Sequence, residues 1–132
     1  MVLEGTISIR RLELGRDVYL DKSTTVRITD EMKTVFPSLK RYTELIVNGK
    51  LMTWWDADRY AYEHAAELPG SEELKDIYHL VDMKYHKFRC GWTREVREEH
   101  SRFAGTVYMD DGQCWCSWAE KYYENTVFCV RR

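Results

Sequence analysis

The stretch over 71–88 constrains the fold of this chain more than any other part of its sequence. Apolar residues recur there every three or four positions, which is the spacing of one face of an α-helix. These residues are Leu74, Ile77, Tyr78, Val81, Tyr85 and Phe88. Ser71 stands at the N-cap position, and Glu72 and Glu73 suit the positive end of the helix dipole. We therefore predict a long amphipathic helix that must bury this face against another layer.

A second helix is predicted directly upstream. Thr53 and Asp56 are spaced as in a capping box, in which a threonine side chain accepts a hydrogen bond from the backbone at the start of a helix. Pro69-Gly70 ends the pattern. The apolar stripe in between consists of Trp54, Ala57, Ala61, Ala65 and Leu68. A shorter helix is predicted to have Asp30 as its N-cap and to end before Pro37, because a proline pushes the preceding residue out of the α region.

The segment 39–47 permits two interpretations. Leu39, Tyr42 and Leu45 recur at helical spacing, and Asn48-Gly49 suits a helix C-cap. Asn-Gly between two apolar runs is also a strong hairpin signal, which would make the flanking residues strands. We favour the helix.

The remaining segments alternate apolar and polar residues, which is typical of half-buried β-strands. We predict a hairpin over 6–20, a short strand over 26–28, and strands after residue 90 that end with 126–130 in a C-terminal β-meander. The sequence contains no internal repeat or linker. Residues 1–132 are therefore expected to form a single α+β domain, with central helices packed on an antiparallel sheet.

Asp111-Gly112 predicts the register of one hairpin, because Asp-Gly is a preferred pair at the centre of a two-residue turn. Met109 then faces Cys114 across the two strands. One face of this hairpin is predicted to be core, and it consists of Phe103, Val107, Met109, Cys114, Cys116 and Trp118. The other face carries the cross-strand pair Tyr108 and Trp115, which is either a binding patch or buried beneath the N-terminal hairpin or a loop.

Composition and charge narrow the classes of function. The chain is 44% hydrophobic and 32% charged, so it is expected to fold alone. Its formal net charge of −2 argues against direct nucleic-acid binding, which relies on a surplus of Lys and Arg. No apolar run approaches the roughly 20 residues that span a bilayer, and residues 1–10 lack the core of a signal peptide. We expect a cytoplasmic chain without membrane contact and with its four cysteines reduced.

The tetrapeptide Tyr108-Met109-Asp110-Asp111 resembles the metal-binding hairpin of reverse transcriptases, in which adjacent aspartates hold Mg²⁺. The resemblance covers four residues, and a chain of 132 residues has no room for a polymerase palm. Cys114 and Cys116 lack the second cysteine pair that is usual in a structural zinc site. We therefore predict no catalytic residue, no cofactor and no metal, and interpret Asp-Gly as an ordinary turn.

The sequence favours a non-enzymatic protein-binding module, because it lacks a phosphate-binding glycine loop, a nucleophile elbow and a dinucleotide turn. The candidate partner-binding residues are Trp54, Trp55, Asp56, Asp58, Tyr108 and Trp115. Glu63 and Glu67 extend their acidic cluster. Aromatic side chains dominate many interfaces and acids complement a basic groove, so we expect a protein or ribonucleoprotein partner. In type, the chain resembles small phage or mobile-element inhibitors, of anti-defence or immunity kind, that dock on nucleic-acid-handling proteins.

Two other functions stay open. A small metal-dependent hydrolase or nuclease would use Asp110, Asp111 and a histidine of the long helix, with the metal lowering the pKa of a bound water. A small-ligand-binding domain would instead have a pocket between helix and sheet, lined by the tyrosines and tryptophans.

Overall fold

The computed structural model describes residues 23–80, 90–97, 102–110 and 113–132, which form six β-strands, three α-helices and one 3₁₀ helix. The predicted hairpin over 6–20 and the part of the long helix after Leu80 lie outside these residues. None of the described helices is both long and apolar enough to cross a membrane. In chain order the elements are β1 Ser23–Arg27, α1 Asp30–Val35, the 3₁₀ helix Pro37–Leu39, β2 Glu44–Met52, α2 Trp54–Glu63, α3 Ser71–Leu80, β3 Cys90–Val96, β4 Phe103–Asp110, β5 Gln113–Glu120 and β6 Asn125–Arg131.

The strands form one mixed sheet in the order β1-β2-β6-β3-β4-β5. Neighbours are antiparallel except β3 and β6, which run parallel where Gly91 pairs with Thr126. The prediction of an antiparallel sheet that ends in a meander therefore holds only in part, because β6 leaves β5 and lies between β2 and β3. Residues 125–130 are all buried. A strand with apolar side chains on both faces suits the interior of a sheet that is covered on both sides.

The prediction of a helix over 39–47 is wrong. The 3₁₀ helix ends at Leu39, and β2 then runs through Asn48-Gly49 as one strand. Leu45 belongs to the core on one face of the sheet and Ile46 to the core on the other. Adjacent buried residues of this kind fit a two-sided strand better than a helix. Asn48-Gly49 is neither a cap nor a hairpin turn, since it lies where the pairing of β2 with β6 shifts register.

Helices cover both faces of the sheet. α1 and α3 contribute to the first core, and α2 contributes to the second core on the opposite face. The predicted helices on a sheet are thus divided between two layers. The first core consists of Ile28, Met32, Leu39, Tyr42, Leu45, Val47, Leu74, Ile77, Tyr78, Leu80, Val107, Phe128 and Val130. The second core consists of Ile46, Ala57, Ala61, Leu68, Trp92, Ala104, Val127 and Cys129.

Threonine side chains cap the first two helices. The hydroxyl of Thr53 accepts from the backbone N–H of Asp56 at 3.3 Å, as the capping-box pattern predicts. α1 differs from the prediction, because Thr29 and not Asp30 is its N-cap and accepts from the N–H of Met32 at 3.3 Å. Asp30 is instead the first helical residue, where its charge suits the helix dipole.

The end of α2 and the start of α3 also differ from the sequence prediction. α2 ends at Glu63, and Ala65 then has a φ of 53°, a left-handed conformation that an α-helix cannot continue. Leu68 consequently reaches the second core from the loop. Ser71 is the first residue of α3 and does not cap it, since its hydroxyl donates to the carboxylate of Glu95 at 3.3 Å.

The buried carboxylate of Glu73 ties α3 to the chain around it. Its Oε1 accepts from the N–H of Gly70 and from Nη1 of Arg94, both at 2.8 Å. Its Oε2 accepts from the hydroxyl of Tyr42 at 2.9 Å and from Nη2 of Arg41 at 3.1 Å. Burial raises the pKa of Glu73, but the hydrogen bonds from Arg94, Gly70 and Tyr42 lower it by more than burial raises it. The pKa of Glu73 therefore lies below its ordinary value.

Replacing Glu73 with glutamine is expected to lower the free energy of unfolding at neutral pH by about 2 to 3 kcal/mol, because guanidinium groups and a buried hydroxyl lose their charged acceptor. The folded chain lowers the pKa of Glu73, so its contribution is complete above the ordinary value of 4.5 and is lost as the pH falls through the lowered pKa. Urea unfolding of wild type and E73Q over a pH series measures this difference.

Glu72→Gln is the matched control, because the Glu72 side chain is exposed and pairs with Lys75 at 3.0 Å. Its effect is expected to stay below about 0.5 kcal/mol. An equal loss in both variants, or an E73Q effect that persists in acid, would contradict this role of the Glu73 carboxylate.

Candidate functional site

The outward side of α2 carries two exposed aromatic rings beside two acids. The buried alanines of this helix face the second core, which directs the opposite side to solvent. Trp55, Asp58 and Tyr62 stand three and four positions apart and share that side. Trp55 is 49% exposed and Tyr62 is 83% exposed, with Asp56 exposed next to them. We name Trp55, Asp56, Asp58 and Tyr62 the α2 surface.

Trp54 has a different role from its neighbour. Its indole N–H donates to the backbone carbonyl of Thr93 at 2.9 Å. The Nζ of Lys121 lies 4.5 Å from its ring centroid, and the ring packs against the second core. Trp54 is thus held by α2, β3 and the β5–β6 turn and does not belong to the α2 surface. Its spacing of three from the buried Ala57 places it on the inward stripe of the helix.

The acidic cluster is smaller than the sequence predicts. Glu63 lies on α2 and, with Asp56, borders a surface cavity of about 360 Å³. Glu67 is elsewhere, because its main chain pairs with Val130 and its carboxylate lies 3.4 Å from Nη1 of Arg94. The cavity is lined by Lys50, Leu51, Met52, Asp56, Arg59, Tyr60, Glu63 and Glu124.

The turn after β5 adds two exposed tyrosines next to α2. The backbone N–H of Trp54 donates to the carbonyl of Lys121 at 2.9 Å, which places this turn beside the first turn of α2. Tyr122 and Tyr123 follow, with ring centroids 4.8 Å apart. Hydrogen bonds with Glu120 and then with Tyr123 raise the pKa of Tyr122 to about 12. These tyrosines are missing from the residues predicted from the sequence, although adjacent rings in a short turn are a recognisable sign of exposure.

The β4–β5 hairpin has the predicted register. Met109 pairs with Cys114, and Tyr108 pairs with Trp115. Trp115 is 49% exposed and Tyr108 is also exposed in the part of the chain that the structure describes. The N-terminal hairpin that would cover them lies outside that part, so both alternatives for this pair stay open. These two rings lie on the α2 side of the sheet, on the same face of the hairpin as the buried Thr106. Among the described residues, the second core does not extend to them.

The opposite face of this hairpin is core only near its turn. Val107 is buried, and Met109 and Cys114 pack partly against the first core. Cys116 and Trp118 are exposed, contrary to the prediction, with Trp118 at 46%. The alternation of the sequence is correct, but the first core beneath α3 does not reach this part of β5.

The four cysteines are free thiols in different environments. Burial raises the pKa of Cys129 to about 12, so this thiol stays protonated at neutral pH. Cys116 is exposed and close enough to Lys75 to contribute to the raised pKa of that ammonium, after the larger effect of Glu72. Among the residues that the structure describes, no group of three or more His, Cys, Asp or Glu side chains could hold a metal.

Neither alternative function gains a defined site from the described residues. Asp110 ends β4, and Asp111 lies outside the described residues, so the hydrolase interpretation stays a prediction. A cavity of about 530 Å³ is present on the surface, but charged and small residues line it, without the tyrosines and tryptophans expected for a ligand pocket. Its lining is Pro37, Ser38, Lys40, Arg41, Glu72 and Glu73.

Comparison with known proteins gives a likeness in fold. No protein-family model matches this chain, and no curated protein matches it. The crystal structure of the mouse CD72a CTLD, a C-type lectin-like domain, is similar with a TM-score of 0.53 and 12% sequence identity. The match covers 67% of this chain and 86% of that chain. At this level of identity the similarity concerns the fold alone.

Replacing Trp54 and Trp55 separately with alanine is expected to give very different stabilities. W54A loses packing on the second core and an indole hydrogen bond, so the free energy of unfolding is expected to fall by about 3 kcal/mol. W55A removes an exposed ring and is expected to change it by less than about 0.5 kcal/mol. Denaturant unfolding followed by circular dichroism measures both. Similar losses in the two variants would show that the orientation of α2 is not the one described.

Proposed function

We propose that this domain functions by binding a protein partner through the α2 surface, with the tyrosines of the β5–β6 turn at its border. The proposal requires no catalytic step. Of the partner-binding residues predicted from the sequence it keeps Trp55, Asp56 and Asp58, and it adds Tyr62. Trp54 is held inside the fold, and Tyr108 and Trp115 lie on the β4–β5 hairpin, outside this surface.

The observation that carries the proposal is the exposure of two large aromatic rings on one side of a short helix. The side chains of Trp55 and Tyr62 make no hydrogen bond or ring contact with another described residue. Large exposed aromatics without an internal role are typical of interface residues, because burying them against a partner releases much apolar surface from water. Flanking polar residues then exclude water from the contact.

Charge supports a basic partner. Asp56, Asp58 and Glu63 are exposed on α2, and Arg59 is the basic residue of this helix. An acidic surface favours a protein with a positively charged groove and repels nucleic-acid phosphates. In its narrower form, the proposal is therefore a phage or mobile-element inhibitor, of anti-defence or immunity kind, that occludes a nucleic-acid-handling protein. The free state of all four cysteines supports the cytoplasm as its proposed compartment.

The test begins with the identification of proteins that wild type captures from host extract and continues with the purified partner. Trp55→Ala and Tyr62→Ala are each expected to weaken its affinity about tenfold, equal to roughly 1.4 kcal/mol. Asp58→Lys reverses a charge on an acidic surface, so it is expected to weaken the affinity more at low salt than at high salt. Isothermal titration calorimetry measures these affinities, and competition with nucleic acid for the partner tests the narrower form.

Val35→Ala is the matched control, because Val35 is an exposed apolar residue of α1, on the other side of the sheet. Its affinity is expected to stay within about twofold of wild type. A partner that binds W55A and Y62A as tightly as it binds wild type would exclude the α2 surface as the binding site.

A further inference from the structure

Among the strands that the structure describes, β5 is an edge strand of the sheet. It pairs with β4 over eight consecutive positions without a register shift, so the strand is long and regular. On its other side, none of the described residues pairs with it. This edge lies apart from the α2 surface, and its pairing properties are independent of the proposed function.

The pairing of β4 with β5 determines which backbone groups point outwards. The N–H of Lys121 donates to the carbonyl of Arg102, one position beyond the last strand pair, Phe103 with Glu120. Arg102 and Lys121 are therefore a hydrogen-bonded pair of this register. Such pairs alternate with non-bonded pairs in an antiparallel ladder. The backbone N–H and C=O groups of every second residue of β5 therefore face away from β4. In the middle of the strand these residues are Cys114, Cys116 and Trp118.

The open edge lacks the usual protection against pairing. Natural sheets protect their edges with charged residues, prolines or bulges. The residues of β5 from Gln113 to Ala119 include no charged residue and no proline, and their ladder with β4 has no bulge. Exposed Trp115 and Trp118 flank the unpaired backbone groups on the two faces of the strand. An edge of this kind is suited to the addition of another strand.

We propose that the strand added to β5 is the β5 strand of a second copy of this chain, paired antiparallel about a two-fold axis at Cys116. In this register Cys114 of each copy faces Trp118 of the other, and Cys116 faces itself. Every outward N–H and C=O of the three residues then has a partner. A two-fold axis perpendicular to the sheet also keeps equivalent faces on the same side.

Side chains and charges near the axis are compatible with this register. Trp115 lies opposite Ser117 of the second copy. It is diagonal to Trp115 of the second copy, at a spacing that large rings can bridge. Lys75 and Glu72 form an ion pair at 3.0 Å, and Lys75 lies close to Cys116. The axis therefore brings each Lys75–Glu72 ion pair towards its symmetry mate, where opposite charges can pair across the interface. No charged side chain of β5 faces a charged side chain of the other β5.

The experiment measures the mass of the reduced protein by analytical ultracentrifugation over a concentration series. Wild type is expected to approach twice the 15.8 kDa of one chain. Cys116→Ser keeps the backbone N–H and is expected to remain dimeric. Cys116→Pro removes an N–H that points away from β4, so the hairpin is retained but the dimer is expected to be lost.

Oxidation provides a second readout of the register. Facing residues of a hydrogen-bonded pair have Cα atoms about 5.5 Å apart, within the range of a disulfide. Cys114 lies four positions from its symmetry mate, about 13 Å along the strand, which is too far. Mild oxidation is therefore expected to cross-link wild type and C114S as dimers, and C116S is expected to resist.

A wild type that stays monomeric, or a C116P variant that folds and still forms the dimer, would overturn the proposal. If C116P fails to fold, hydrogen exchange in wild type decides. Slow exchange at the amides of Cys114, Cys116 and Trp118 that depends on protein concentration supports the proposal. Exchange of these amides at the rate of an unpaired strand overturns the proposal. That result is also the one expected if the β5 edge binds a segment of another protein instead of a second copy.

Discussion

β6 lies between two antiparallel units, β1–β2 on one side and β3–β4–β5 on the other. Its successive residues contribute alternately to the two cores: Phe128 and Val130 to the first, Val127 and Cys129 to the second. Both the sheet and the two helical layers therefore depend on β6. Contacts this distant in sequence carry a high entropic cost of loop closure, which the complete burial of β6 has to offset. The position of β6 also leaves β5 at the edge.

Much of the local structure can be predicted from the sequence, because its signals act over a few residues. Thr53 caps α2 as predicted, and Asp111-Gly112 predicts the register between Met109 and Cys114 correctly. The two failures that change the topology, the helix over 39–47 and the place of β6, concern strands buried on both faces. Adjacent apolar residues such as Leu45 and Ile46 have no period of two, so the pattern of β2 favours a helix that does not form. The place of β6 depends on which strands are already covered, and that is a tertiary property.

The exposure of a side chain is harder to predict than the register of a hairpin, because exposure depends on which elements cover the strand or helix. Alternation correctly groups Cys116 and Trp118 with Val107, yet α3 covers one end of that face and leaves the other in water. Trp54 and Trp55 are neighbours in sequence, but the phase of α2 turns one ring towards β3 and the other outwards. The candidate residues Trp55, Asp56, Asp58, Tyr108 and Trp115 are exposed, as a binding role requires. Tyr62 and Trp118 are also exposed, which becomes clear only when the helix and strand positions are known.

The position of β6 implies that this strand joins the two halves of the sheet into one cooperative unit. Native-state hydrogen exchange at increasing denaturant tests this role most directly, because it gives an opening free energy for each amide. We expect the bonded amides of β6, β2 and β3 to open with one common free energy, equal to that of global unfolding. Opening of β6 at a clearly lower free energy, with β3–β4–β5 still protected, would contradict it.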